Sequence, residues 1–103
     1  MIVYNTTFHI EREILEEALA YLKTVYIPKV LAGGVLLQPC LRRVLHAEDG
    51  GESYAVQFYA ADLDTLTGWL RGEGEPLHRA LALRFGDKLT GFTTLLEETD
   101  WTE

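Results

Sequence analysis

The residues able to do chemistry in this chain are few and scattered. Three histidines, His9, His46 and His78, fall on different predicted elements, and none has an acidic residue at the spacing that would make it a general base. They are expected to face solvent or a rim. Cys40 precedes Arg42 by two residues, so on a strand the two share a face and the guanidinium could lower the thiol pKa. A small apolar edge-strand residue is the simpler role for Cys40. Arg43 faces away from Arg42, which suits it to pairing with an acidic neighbour or to holding an anion. Asn5, Gln57 and Tyr59 make the most polar group on the predicted sheet, suited to bonding across a subunit seam or lining a small cavity. Gly33-Gly34 and Gly50-Gly51 lack the strand-to-helix setting of a phosphate loop and read as turns. No segment spells out a catalytic signature.

Composition narrows the classes. The chain has 103 residues, 48% hydrophobic and 24% charged, enough for one core that buries about two thirds of the unfolded surface. Sixteen acidic residues against nine basic ones give a net charge of −7, which repels phosphate and argues against nucleic acid. No apolar stretch nears the ~20 residues of a membrane span, and no leader pattern opens the chain. A cytoplasmic protein without a membrane partner is expected. One cysteine excludes an internal disulfide, and no Cys or His pair has metal-ligand spacing, so no metal is expected.

The elements that must position these residues follow from periodicity. Ile2, Tyr4, Thr6, Phe8 and Ile10 alternate with Val3, Asn5, Thr7 and His9, the pattern of a strand. Ile14, Ala18, Leu22 and Val25 then repeat at helical spacing until Pro28, where a kink or break is expected, with a short turn over 29–31. Val35 to His46 reads as a second strand, Pro39 marking an edge position or bulge. A turn over 47–52 returns the chain into a third strand, 53–60. Asp62 caps a helix carrying Leu63, Leu66 and Leu70; Gly72 and Gly74 break it, and Leu77, Leu81 and Phe85 continue it. The run 87–97 is a fourth strand.

This order predicts an α+β, ferredoxin-like βαββαβ domain over residues 1–98, with a frayed tail over 99–103. Its four-stranded antiparallel sheet has strands one and three at the centre and helices on one face. The other face, with Val3, Asn5, Thr7, Ala55, Gln57, Tyr59, Phe92 and Leu96, is too apolar to stay wet. A homodimer through that face is expected.

Several segments carry a resemblance: Met1-Ile-Val-Tyr-Asn-Thr-Thr7, Tyr26-Ile-Pro-Lys-Val-Leu31, Arg43-Val-Leu45, Tyr54-Ala-Val-Gln-Phe58 and above all Phe85-Gly-Asp-Lys-Leu-Thr-Gly-Phe-Thr-Thr-Leu-Leu-Glu97. Over nearly its whole length the chain resembles a bacterial family of small proteins, a domain of unknown function in the dimeric α+β barrel class. The resemblance implies that fold and a dimer, and brings no activity or cofactor. A weaker likeness links Ala61-Asp-Leu-Asp-Thr-Leu-Thr-Gly-Trp-Leu-Arg71 and Pro76-Leu-His-Arg-Ala80 to cofactor-independent monooxygenases and haem-degrading enzymes of the same class. In the haem-degrading enzymes an Asn on the first strand, a Trp on this helix and a following His line the haem pocket. The matching positions, and so the catalytic candidates, are Asn5, Trp69 and His78, with haem a cofactor only under this alternative. The strand pattern instead sets Asn5 with Val3 and Thr7, away from Tyr4, Thr6 and Phe8. The candidates for small-ligand binding are Asn5, Arg43, Gln57, Tyr59 and Phe92.

Overall fold

A computed structural model describes residues 1–45 and 50–102. Strand β1 (Ile2–Glu11) leads through a 3₁₀ turn into α1 (Leu15–Tyr21), a π-helical turn (Leu22–Tyr26) and α2 (Ile27–Ala32). Strands β2 (Leu37–Arg43) and β3 (Gly51–Ala60) follow, then α3 (Leu63–Arg71), α4 (Gly74–Phe85) and β4 (Leu89–Glu97). The order across the sheet is β2-β3-β1-β4, with every neighbouring pair antiparallel. The expected ferredoxin-like order is therefore present, with β1 and β3 central. His46 and the expected turn at Ala47, Glu48 and Asp49 lie outside the described residues.

The alternation of β1 decides which side closes. Tyr4, Phe8 and Ile10 are buried beneath the helices, as are Val56 and Phe58 of β3. Leu22, Tyr26, Val30, Leu66 and Leu81 come down from above. Each such burial contributes about 1.5–3 kcal/mol relative to exposure, which fixes the register of β1 against both neighbours.

Two expectations need correction. The first helical segment does not break at Pro28 but runs on to Ala32. Proline lacks an N–H, and its ring would strike the carbonyl of Thr24 in a regular α-helix. The wider turn over Leu22–Tyr26 lies immediately before it, and Pro28 then occupies the first turn of α2, where no N–H is missed. The second strand is also shorter than expected, Leu37–Arg43 in place of Val35 to His46. Leu37 pairs with Tyr59 but Cys40 pairs with Gln57, so β2 holds one extra residue there. That bulge contains Pro39, which has no N–H to give the ladder, and Gln38, whose φ of 54° is in the left-handed region.

The second helical layer divides as expected. The Asp62 carboxylate accepts a hydrogen bond of 2.7 Å from the Thr65 amide, which caps α3 and holds the carboxyl below its usual range. Gly72 ends α3 and α4 starts at Gly74, directly beneath the Trp69 ring. A Cβ at residue 74 would stand 2.6 Å from Trp69 Cζ3, so only glycine allows this approach.

Candidate functional site

Four elements converge on one imidazole. His78 of α4 is half-buried, and its Nε2 lies 3.1 Å from the Tyr4 hydroxyl of β1 and 3.2 Å from the Tyr26 hydroxyl of the π-helical turn. Trp69 of α3 closes the cluster, its ring centroid 6.0 Å from both Tyr4 and His78. Of the surface and partly buried helix positions open to His78, the structure gives the partly buried one. Capture by two core tyrosines holds it inward.

The π-helical turn is what brings Tyr26 to this place. The buried residues Ala18, Leu22, Tyr26 and Val30 recur every four residues. On a regular α-helix that spacing drifts about 40° per step, so the last would leave the core face. A wider turn in the middle absorbs the drift and keeps all four on the sheet.

Burial sets the protonation states. Loss of water lowers the His78 pKa, so the ring is neutral in the folded chain. Burial, then the neighbouring Tyr4, raises the Tyr26 pKa, so its phenol keeps its proton. The hydrogen-bond inventory then selects a tautomer. With Nε2 as the acceptor, the Tyr4 and Tyr26 hydroxyls both lie within reach to donate to it. With a proton on Nε2, one buried hydroxyl hydrogen would have no acceptor, at a cost of about 1–3 kcal/mol. The Nδ1–H form satisfies all three groups.

Beside His78 lies a cavity of about 220 Å³ between β1, α4 and β4, walled by Phe8, Leu81, Leu89 and Gly91. Thr6 also lines it, 7% exposed, and its hydroxyl has no hydrogen-bond partner.

The opposite face of the sheet carries most of the other candidates. Asn5 pairs with Gln57 on one side and Thr94 on the other, and points away from His78. Its Nδ2 donates to Thr7 Oγ1 at 3.2 Å; its Oδ1 is buried without a partner, although no helix covers this face. Gln57 and Tyr59 line a second, larger and more enclosed cavity of about 390 Å³ with Cys40 and Arg42, whose guanidinium donates to Gln57 Oε1 at 2.7 Å. Phe92 is 65% exposed and outside that cavity. Arg43 lies 3.7 Å from Glu52, an exposed pair worth about 0–1 kcal/mol. His9 Nδ1 lies 3.2 Å from Ser53 Oγ.

The structure thus brings Trp69 and His78 together and leaves Asn5 on the other side of the sheet. Sequence reasoning missed Tyr4, Thr6 and Tyr26 as site residues. Their signal was polar atoms within core stripes, which reads first as packing. Among the described residues no cluster of His, Cys, Asp and Glu could hold a metal ion, and no helix is long and apolar enough to cross a membrane.

Residues 1–99 match the model of a domain of unknown function, DUF4286. The chain belongs to the DUF4286 family. No curated protein matches this DUF4286 domain in sequence. Among solved structures it is similar to an ethyl tert-butyl ether (EthD) family protein from Bacillus halodurans C-125, with 18% identity and a TM-score of 0.72, covering 96% of this chain and all of that one. At that identity the likeness establishes the fold, an α+β protomer of the dimeric-barrel type.

Proposed function

We propose that this DUF4286 protein is a cytoplasmic homodimer that binds a small ligand and needs no cofactor. One observation carries the reading: the uncovered sheet face presents Val3, Tyr59, Phe92 and Leu96 side by side, with Phe92 65% and Leu96 46% exposed. A second copy packed sheet to sheet covers these apolar side chains. The fold shared with the EthD-family protein supports the same arrangement. The test is mass by light scattering at micromolar concentration. A dimer mass is expected, with Phe92→Asp shifting it to monomer; a monomer mass for the parent chain overturns the proposal.

A second reading, a cofactor-independent monooxygenase, has in its favour the contact of Trp69 with His78 beside the smaller cavity. Its haem-degrading form does not suit these residues. His78 Nε2 is engaged by two hydroxyls, and Asn5 lies across the sheet. Drug-sized ligands take clefts of about 300–1,000 Å³, and the cavity of about 220 Å³ is smaller than that, too small for the macrocycle. Titration with haem is expected to give no Soret shift; a shift that His78→Ala abolishes would restore that form.

A further inference from the structure

We infer that the larger cavity, at the bulge of β2 on the uncovered face of the sheet, binds a small monocarboxylate with an apolar body, and that Arg42 holds the carboxylate. The inference rests on the small-ligand half of the proposed function, whose ligand class it names, and is independent of the dimer.

The bulge comes first. Between the pairs Leu37–Tyr59 and Cys40–Gln57, Gln38 and Pro39 of β2 oppose Phe58 alone on β3. An extra residue bends the strand and increases its local twist, and bulges recur beside binding sites because they re-aim side chains. Gln38 takes part at a φ of 54°, a conformation unfavourable for any residue with a Cβ. Gln38 and Pro39 both line the resulting space of about 390 Å³, with Val3 and Leu96 on the strands beyond. That volume is within the range of about 300–1,000 Å³ typical of small-molecule sites. It is both larger and more enclosed than the space beside His78.

Charge then sets the ligand class. Among the described residues Arg42 is the one charged side chain that lines the cavity, in a chain whose net charge is −7. Its neighbour Arg43 pairs with Glu52, whereas Arg42 enters no ion pair among the described residues. Arg42 is exposed, so a ligand can reach it. Its Nη1 donates to Gln57 Oε1 at 2.7 Å, which orients the guanidinium plane. No hydrogen bond among the described residues takes Nε or Nη2, and that edge matches the two oxygens of a carboxylate. One cation balances one negative charge. A phosphate dianion against the same wall would keep a charge that nothing compensates.

The rest of the lining sets the body of the ligand. Val3, Pro39, Leu96 and the ring of Tyr59 offer an apolar surface to a ring or a short alkyl chain. Arg42 stands on β2, at the edge of the sheet, so the charged end of the ligand lies at the rim and its body points toward β1. A second copy packed sheet to sheet roofs that body and leaves the arginine edge as the way in.

The test is a titration of the ¹⁵N-labelled chain with 3-phenylpropionate, followed by amide shifts, with 3-phenylpropanamide as the uncharged control of the same shape. Saturable shifts at Gln38, Cys40, Arg42, Gln57 and Tyr59 are expected with the acid, and binding about tenfold weaker with the amide. Added salt is expected to weaken the acid and not the amide. Arg42→Gln, at an exposed position, should bring the acid down to the affinity of the amide with the melting temperature unchanged. Arg42→Lys keeps the charge without the planar fork and should fall between the two. Absence of saturable shifts, equal affinity for acid and amide, or an acid affinity that Arg42→Gln leaves intact overturns the site. Saturable shifts confined to residues around His78 overturn this site and leave the small-ligand reading standing. Light scattering of the same samples decides the dimer separately.

Discussion

The two faces of the same sheet solve their polar problems differently. Under the helices, Tyr4 and Tyr26 meet His78 across 74 and 52 residues of sequence, and only tertiary packing brings them together. On the uncovered face the partners are near at hand: Asn5 with Thr7 two residues along, and Arg42 with Gln57 on the next strand. The covered side is closed by the chain itself, so Tyr4, Tyr26 and His78 form a mutual network, although the Thr6 hydroxyl beside them has no partner. The other side can only pair laterally, and Asn5 Oδ1 is left over.

Substitutions on each side put that difference to the test. The largest effect belongs to Phe58→Ala under the helices, where full burial predicts a loss of about 3–5 kcal/mol in urea unfolding. A loss below about 1 kcal/mol would mean that the covered side is loosely packed. Gly74→Ala drives a methyl group into the Trp69 ring and is expected to cost about 1–3 kcal/mol, with a change in tryptophan fluorescence. Tyr26→Phe removes one hydroxyl from the network while Tyr4 still reaches Nε2, so about 1 kcal/mol is expected.

A fourth measurement reads charge. The groups hydrogen-bonded to His78 are the Tyr4 and Tyr26 hydroxyls, and desolvation lowers the His78 pKa from 6.5. The unfolded chain therefore binds the proton more readily than the folded one. The stability that neutral His78 allows is complete above about pH 6.5 and falls as the pH drops toward the folded pKa. Unfolding free energies measured between about pH 7 and pH 5 should decline, and His78→Gln should flatten that decline. The smallest effect is expected for Phe92→Ala on the uncovered face, within about 0.5 kcal/mol for an isolated protomer. A larger loss that grows with protein concentration would report the partner sheet.

Much of the fold was legible because strand and helix periods are local. The alternation of Ile2 to Ile10 set the two faces of β1, Pro39 marked the bulge of β2, and Asp62 marked the cap of α3. The continuation of the helix past Pro28 was less legible, because a proline signals a kink or a break and only the irregular turn before it is present. The four-residue recurrence of Ala18, Leu22, Tyr26 and Val30, which demands a widened turn, was the better signal. At the site, Trp69 and His78 were legible as residue types with a known likeness. Tyr4, Thr6 and Tyr26 were not, because a tyrosine or threonine in an apolar stripe gives the same pattern whether or not its hydroxyl is used.

The sequence by itself determined the order of elements and the central place of β1, since alternation and helical spacing act over a few residues; which side Asn5 takes was decided by the pairing of β1. The tertiary structure alone decided that His78 sits between two phenols, that Thr6 is left without a partner, and that a small space remains beside them. Those outcomes depend on the packing of α4 against β1 and β4, and no local pattern encodes the distances between elements so far apart in the chain.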